Sequence, residues 1–148
     1  MRGLEDLTGS RALLTGVNSS IGSTIARHLA EQGANIVGTY LKGDEKTGVG
    51  LDAAQQQIND TRSGALIDCL PFDQTELAEI NDLVEDAREK LGGLDLLVTV
   101  ASRQSEKPFL KMPPSVINRE IMVNLTGTII LVQTAANAMI REAEQESD

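Results

Sequence analysis

The sequence predicts an α/β domain built on a doubly wound parallel sheet. Three observations lead there: short apolar runs alternate with amphipathic segments, a glycine-punctuated turn joins the first run to the first amphipathic segment, and no repeat or low-complexity linker breaks the series. Strand–helix alternation with right-handed connections places the ligand crevice at the carboxyl ends of the strands.

Strands are predicted at 11–15, 35–40, 65–70 and 95–100, each apolar enough to be covered on both faces. The first helix, 20–32, carries Ile21, Ile25 and Leu29 at helical spacing and is closed by Gly33. A weaker second helix spans 51–59, because Gly48 and Gly50 discourage an earlier start. From Gln74 onward, Leu77, Ile80, Val84, Ala87 and Leu91 mark one apolar face of a third helix that ends at Gly92-Gly93. A last helix begins near Pro113-Pro114 and runs into the 130s or beyond, with Ile117, Ile121, Asn124, Thr128, Ala135 and Met139 on one stripe.

The 148 residues, 41% hydrophobic, suffice for one domain with its own core, 1–148, in which the acidic segment 141–148 is expected to fray. A formal net charge of -9 without any basic run argues against nucleic-acid binding. The opening residues lack an apolar signal core and no stretch reads as long enough to cross a bilayer, so a cytoplasmic location without a membrane partner is expected. Cys69, the lone cysteine, reads as a buried small hydrophobe, and His28, the lone histidine, as a structural residue. No His/Cys/carboxylate cluster suggests a metal, and no glycine-lysine-threonine phosphate loop is present.

The turn Thr15-Gly16-Val17-Asn18-Ser19-Ser20-Ile21-Gly22 delivers a helix N-terminus to the end of a strand, where free amide N–H groups attract anions. Gly16 permits the sharp turn, Gly22 a close approach, and Ser19 or Ser20 is suited to cap the helix. Together with Asp73 after the third strand and the cluster 94–102, this turn makes the chain resemble the short-chain dehydrogenase/reductase family over residues 11–140. In look it is most similar to the 3-oxoacyl carrier-protein reductases.

The resemblance implies a Rossmann-type sheet in the order 3-2-1-4 and assigns roles by position. Thr15, Gly16 and Gly22 match the family's cofactor turn, with Asn18, Ser19 and Ile21 inside it, while Ser20 replaces the middle glycine. A serine there would be strained if positive φ were required. Asp73 matches an acid that bonds the adenine amino group, with Phe72 beside the same subsite; a helix N-cap is the equal alternative. Thr99-Val100-Ala101-Ser102 stands where the family has Asn-Asn-Ala-Gly, so Ala101 matches and Ser102 takes the glycine's place at the cofactor ribose. The second strand ends in Tyr40-Leu41-Lys42, with Asp44 the nearest acid, which favours NADP(H) over NAD(H) and makes Lys42 the phosphate partner or else a solvated lysine. Asn124, followed by Leu125-Thr126-Gly127, resembles the family's catalytic asparagine, which helps hold a water in a proton relay.

The family's serine and Tyr-x-x-x-Lys pair have no match, since Tyr40 is the only tyrosine and Asp44 follows it four residues later. The chain therefore looks like the cofactor half of a reductase, truncated after the helix that follows the fourth strand and inactive alone. Completed, it would transfer hydride between NADP(H) and a carbonyl or alcohol substrate. The alternative is a non-catalytic nucleotide-binding or interaction module from a truncated reductase. An unpaired fourth strand and an uncovered helix face lead to an expected homo-oligomer.

Overall fold

The structure is a computed structural model and describes residues 6–43, 50–145 and 147. Asp44 and Gly48 lie outside the described residues. Strands β1 (Arg11–Thr15), β2 (Asn35–Tyr40), β3 (Leu66–Pro71) and β4 (Leu96–Thr99) pair in parallel in the order β3-β2-β1-β4. The central strands β1 and β2 are those whose residues are most completely buried, as parallel strands covered on both faces must be. Alternation along β1 divides the core. Leu13 faces one apolar cluster and Ala12 and Leu14 face the other.

Helices α1 (Ser20–Glu31) and α2 (Leu51–Thr61) cover one face of the sheet. The other is covered by α3 (Ile80–Leu91) and by a long helix made of α4 (Pro114–Ile121), a π-helical turn over Met122–Gly127, and α5 (Thr128–Gln145). Pro114 occupies the first turn of α4, where its missing N–H is harmless. Gly92 closes α3 in the left-handed conformation at φ +72°.

Several expectations need correcting. The face of α1 that packs most closely is Gly22, Ser23, Ala26 and Ala30, not the Ile21 stripe: small side chains let the helix lie against the sheet, and Ile21 is left 66% exposed. The third helix does not begin at Gln74. A tight helical turn at Leu77–Glu79 precedes α3, because residues 73–76 are folded into a turn in which the Asp73 carboxylate accepts from the Thr75 amide. Strand β3 starts one residue later than expected and its register with β2 skips Ile67, which is exposed. By length and composition the helix Pro114–Gln145 is apolar enough to cross a membrane, contrary to the sequence expectation. One face packs against the sheet, burying Leu131, Ala135 and Ala138, while 28% of its apolar window is buried.

The segment expected to fray from residue 141 is helical as far as Gln145 and is fastened by charge. Glu142 accepts from Arg88 Nε at 2.7 Å and from the Leu94 amide at 3.0 Å, and lies 3.6 Å from Arg11 Nη2. Arg11 itself grips the Asp95 carboxylate through Nε and Nη2, at 2.9 and 2.8 Å. This network ties the start of β1, the α3–β4 connection and α5 together at the pole opposite the crevice. Burial works to raise the Glu142 pKa, but the Leu94 amide, Arg88 and Arg11 outweigh it and hold the carboxyl below its usual range.

Cys69 is half-buried against the α1–α2 cluster, and burial pushes its thiol up to about 11. His28 is exposed on α1, its Nδ1 bonded to the Thr24 carbonyl at 2.9 Å.

Removing the Glu142 anchor with Glu142→Ala is expected to cost about 1–3 kcal/mol at neutral pH in urea denaturation, because the Leu94 amide and two guanidiniums lose a partner. The contribution of a carboxyl with a lowered pKa is complete above its unfolded value, about 4.3, and is lost as pH falls through the folded value. The parent's acid-induced loss of stability should therefore be shallower in the variant.

Candidate functional site

The turn between β1 and α1 is built by two glycines with different tasks. Gly16 has φ +75°, a conformation that side chains disfavour, and a Cβ there would stand 3.0 Å from the Ala101 amide nitrogen. At Gly22 the constraint is proximity: a Cβ would meet the Gly16 carbonyl oxygen at 2.0 Å. Ser19 links the two. Its Oγ accepts from the Gly22 amide at 2.9 Å and donates to the Gly16 carbonyl at 2.8 Å, so Ser19, and not Ser20, is the helix cap.

Of the four amides that a helix start leaves without intrahelical acceptors, Ser19 donates to the Gly16 carbonyl and Gly22 to the Ser19 hydroxyl. Ser20 and Ile21 remain. Both line the crevice, and the described hydrogen bonds give neither amide an acceptor. Ser20 is itself helical and no described residue other than glycine has positive φ, so the strain anticipated for a serine at this position does not arise.

Opposite the turn, Thr15 organises the end of β4. It is fully buried, and its Oγ1 accepts from the Val100 and Ala101 amides at 3.2 Å each. The ends of β1 and β4 are thus tied through the backbone amides of Val100 and Ala101, which the side chain of Val100 does not impair.

These elements enclose a crevice of about 510 Å³ at the carboxyl ends of the strands. Gly16, Asn18, Ser19, Ser20 and Ile21 form one wall, Tyr40, Phe72 and Asp73 a second, and Ala101 and Ser102 a third. Thr15 and Gly22 support the walls from behind. Lys42 is exposed and lies outside the lining. Leu41, Gln74, Arg103, Gln104 and Arg119 also line the crevice, and sequence reasoning singled out none of them as site residues. Arg103 and Gln104 were legible as neighbours of Ser102; Arg119 and Gln74 become site residues only through tertiary packing.

Asp73 sits between its two expected roles. Its Oδ1 accepts from the Thr75 amide at 2.9 Å and hydroxyl at 2.8 Å, which closes a turn instead of capping a helix. Its Oδ2 accepts from Arg119 at 3.1 Å. Burial works against its charge, yet the Thr75 bonds and the nearby Arg119 and Arg103 guanidiniums hold its carboxyl below the usual range, so it is ionised at neutral pH.

Asn124 stands in the π-helical turn, and it is exposed instead of buried in an apolar stripe. Its carboxamide makes two bonds to one residue: Oδ1 accepts from the Arg103 amide and Nδ2 donates to the Arg103 carbonyl, both at 2.8 Å. The loop after β4 is therefore hung from the helix. Asn124 does not line the crevice itself.

The donor set suits a dinucleotide. Two unmatched amides at a helix start fit a diphosphate, glycine at 16 and 22 leaves room for the backbone to approach it, and Leu41 and Phe72 offer apolar surface for a base.

Comparison with known proteins agrees with this geometry. The sequence model of the short chain dehydrogenase family matches residues 10–147. A D-beta-hydroxybutyrate dehydrogenase of Cupriavidus necator is 35% identical over 133 residues, covering 90% of this chain and 49% of the relative. A short chain dehydrogenase of Burkholderia cenocepacia, solved in complex with NADP, superimposes with a TM-score of 0.77 at 28% identity, covering 90% of this chain and 52% of that one. A short-chain type dehydrogenase/reductase of Mycobacterium marinum gives 0.76 at 28% identity, covering 94% and 53%. The chain spans about half the length of the relatives it matches. With the crevice, the cofactor turn and a match along nearly its whole length, the chain belongs to the short-chain dehydrogenase/reductase family of oxidoreductases.

Proposed function

We propose that this chain is the cofactor-binding half of an NADP(H)-linked reductase or dehydrogenase acting on a carbonyl or alcohol, and that alone it binds the dinucleotide without turning over substrate. The observation that carries the reading is the pair of Ser20 and Ile21 amides, unmatched among the described hydrogen bonds, on residues that line the crevice. Those amides hold the diphosphate, Ala101 and Ser102 flank the ribose, and Phe72 and Asp73 border the adenine. Bound there, the cofactor would supply the hydride. The chain's own residues bind and orient it, and Asn124 fixes the loop beside it through Arg103.

The preference for NADP(H) rests on charge. Among the described lining residues, Arg103 and Arg119 stand against one acid, Asp73, and Lys42 follows β2, so a further phosphate meets an excess of cations there. Catalytic silence rests on the sequence: Tyr40 is the sole tyrosine and has no lysine four residues on, so the family's proton donor is not supplied by these 148 residues. The module reading has no observation of its own beyond that same lack.

A second copy of the chain is the proposed cover for the outer face of the long helix, where Ile121, Leu125, Ile129 and Val132 are exposed beside the open edge of β4. A cytoplasmic location fits the reading.

Four measurements test it. Calorimetry is expected to show NADP⁺ binding, with NAD⁺ weaker by about tenfold for want of one charge-assisted contact; failure to bind either would end the cofactor assignment. Ser20→Pro removes one crevice amide at a helix position that accepts proline, and Ser19 already has the extended φ -78°, ψ 157° that a following proline requires. The helix should persist by circular dichroism while NADP⁺ affinity drops about tenfold. Light scattering at micromolar concentration should find a dimer or larger, and NADPH should not be consumed with a carbonyl substrate by this chain alone.

A further inference from the structure

The loop that walls the crevice hangs from a helix whose π-helical turn is held open from the other side by Gln74. Gln74 is 4% exposed, and its Nε2 donates to the Val123 carbonyl and to Thr128 Oγ1, at 2.8 Å each. Those two partners stand at either end of the widened turn Met122–Gly127. Gly127 makes the reach possible, since a Cβ there would meet the Gln74 carbonyl oxygen at 2.3 Å. The amide cannot be reversed without setting its oxygen against the Val123 carbonyl.

Gln74 is only half satisfied: its Oε1 is buried with no hydrogen-bond partner, a cost set against the two bonds that its Nε2 makes. What the residue does accomplish is geometric. A π-helical turn holds one residue more than an α-helical turn, and closing it would rotate Asn124 about the axis relative to α5. Asn124 needs its present direction to make its paired bonds with Arg103. We propose that Gln74 is a positioning residue: by bridging Val123 and Thr128 it keeps the π-helical turn open, which aims Asn124 at Arg103 and so fixes the crevice wall for the cofactor.

The proposal's consequence for the cofactor rests on the binding function proposed above, but its geometric core can be read without cofactor. Arg103 and Ser105 lie on the same loop and are held by different anchors: the Arg103 amide by Asn124 inside the turn, the Ser105 amide by Glu120 on α4 ahead of it. Amide hydrogen exchange of the Gln74→Leu variant, compared with the parent, should quicken about tenfold at Arg103 and stay unchanged at Ser105. Equal exchange at Arg103 in variant and parent would overturn the proposal, as would equal acceleration at both sites. Should Gln74→Leu fail to fold, Thr128→Val removes the Gln74–Thr128 bond together with the Thr128 hydroxyl's own 3.3 Å bond to the Val123 carbonyl, and is held to the same comparison. Calorimetry with NADP⁺ then adds the functional arm: about tenfold weaker binding in Gln74→Leu supports the proposal, and unchanged affinity limits Gln74 to packing and overturns it. A parent that does not bind NADP⁺ would remove the cofactor reading while leaving the exchange result to decide the role of Gln74.

Discussion

The meeting of Gly22 with the Gly16 carbonyl is the constraint on which the molecule turns. A helix start can come this close to the preceding strand only where a side chain is missing, and the 2.0 Å that a Cβ would leave makes the requirement absolute. From that approach follow the Ser19 bridge, the direction of α1, and the exposure of two helix-start amides to the crevice. Ala101 comes against Gly16 for a related reason. Thr15 draws the amides of Val100 and Ala101 inward, and a Cβ at 16 would press the Ala101 backbone at 3.0–3.1 Å on top of the strain of its positive φ. One close contact therefore sets two walls of the site.

Much of this was legible because it depends on residues near each other in the chain. Leu13 and Leu14 alternate between two cores as any parallel strand requires, Gly92 ends α3, and Ser19 caps the helix it precedes. Other features were illegible because their causes lie far off in sequence. Asn124-Leu125-Thr126-Gly127 keeps ordinary helical spacing, and the extra residue accommodated in that turn is bridged by a side chain about fifty positions away. Ile21 reads as core by periodicity, yet glycine, serine and alanine form the tighter face, and the isoleucine is released to the crevice. Arg119 enters the site through a partner, Asp73, on the opposite side of the sheet order.

The departures from the family's sequence pattern at 20 and 99–102 lose most of their force once backbone is considered. Ser20 needs no special dihedral because it is already the first residue of α1. Val100 contributes its amide, which its apolar side chain does not impair. Side-chain identity at these positions matters less than whether the chain can follow the path, and it can.

Cys69 carries a practical consequence for anyone who would study this crevice by attaching probes. With a thiol that titrates only near 11 and a half-buried position behind α1 and α2, it supplies very little of the reactive anion at neutral pH. A reporter group installed through a new cysteine at the rim, for instance in place of the exposed Ile21, would be modified against a nearly silent background. The native sequence thus comes prepared for site-selective labelling without first being stripped of its own sulfhydryl.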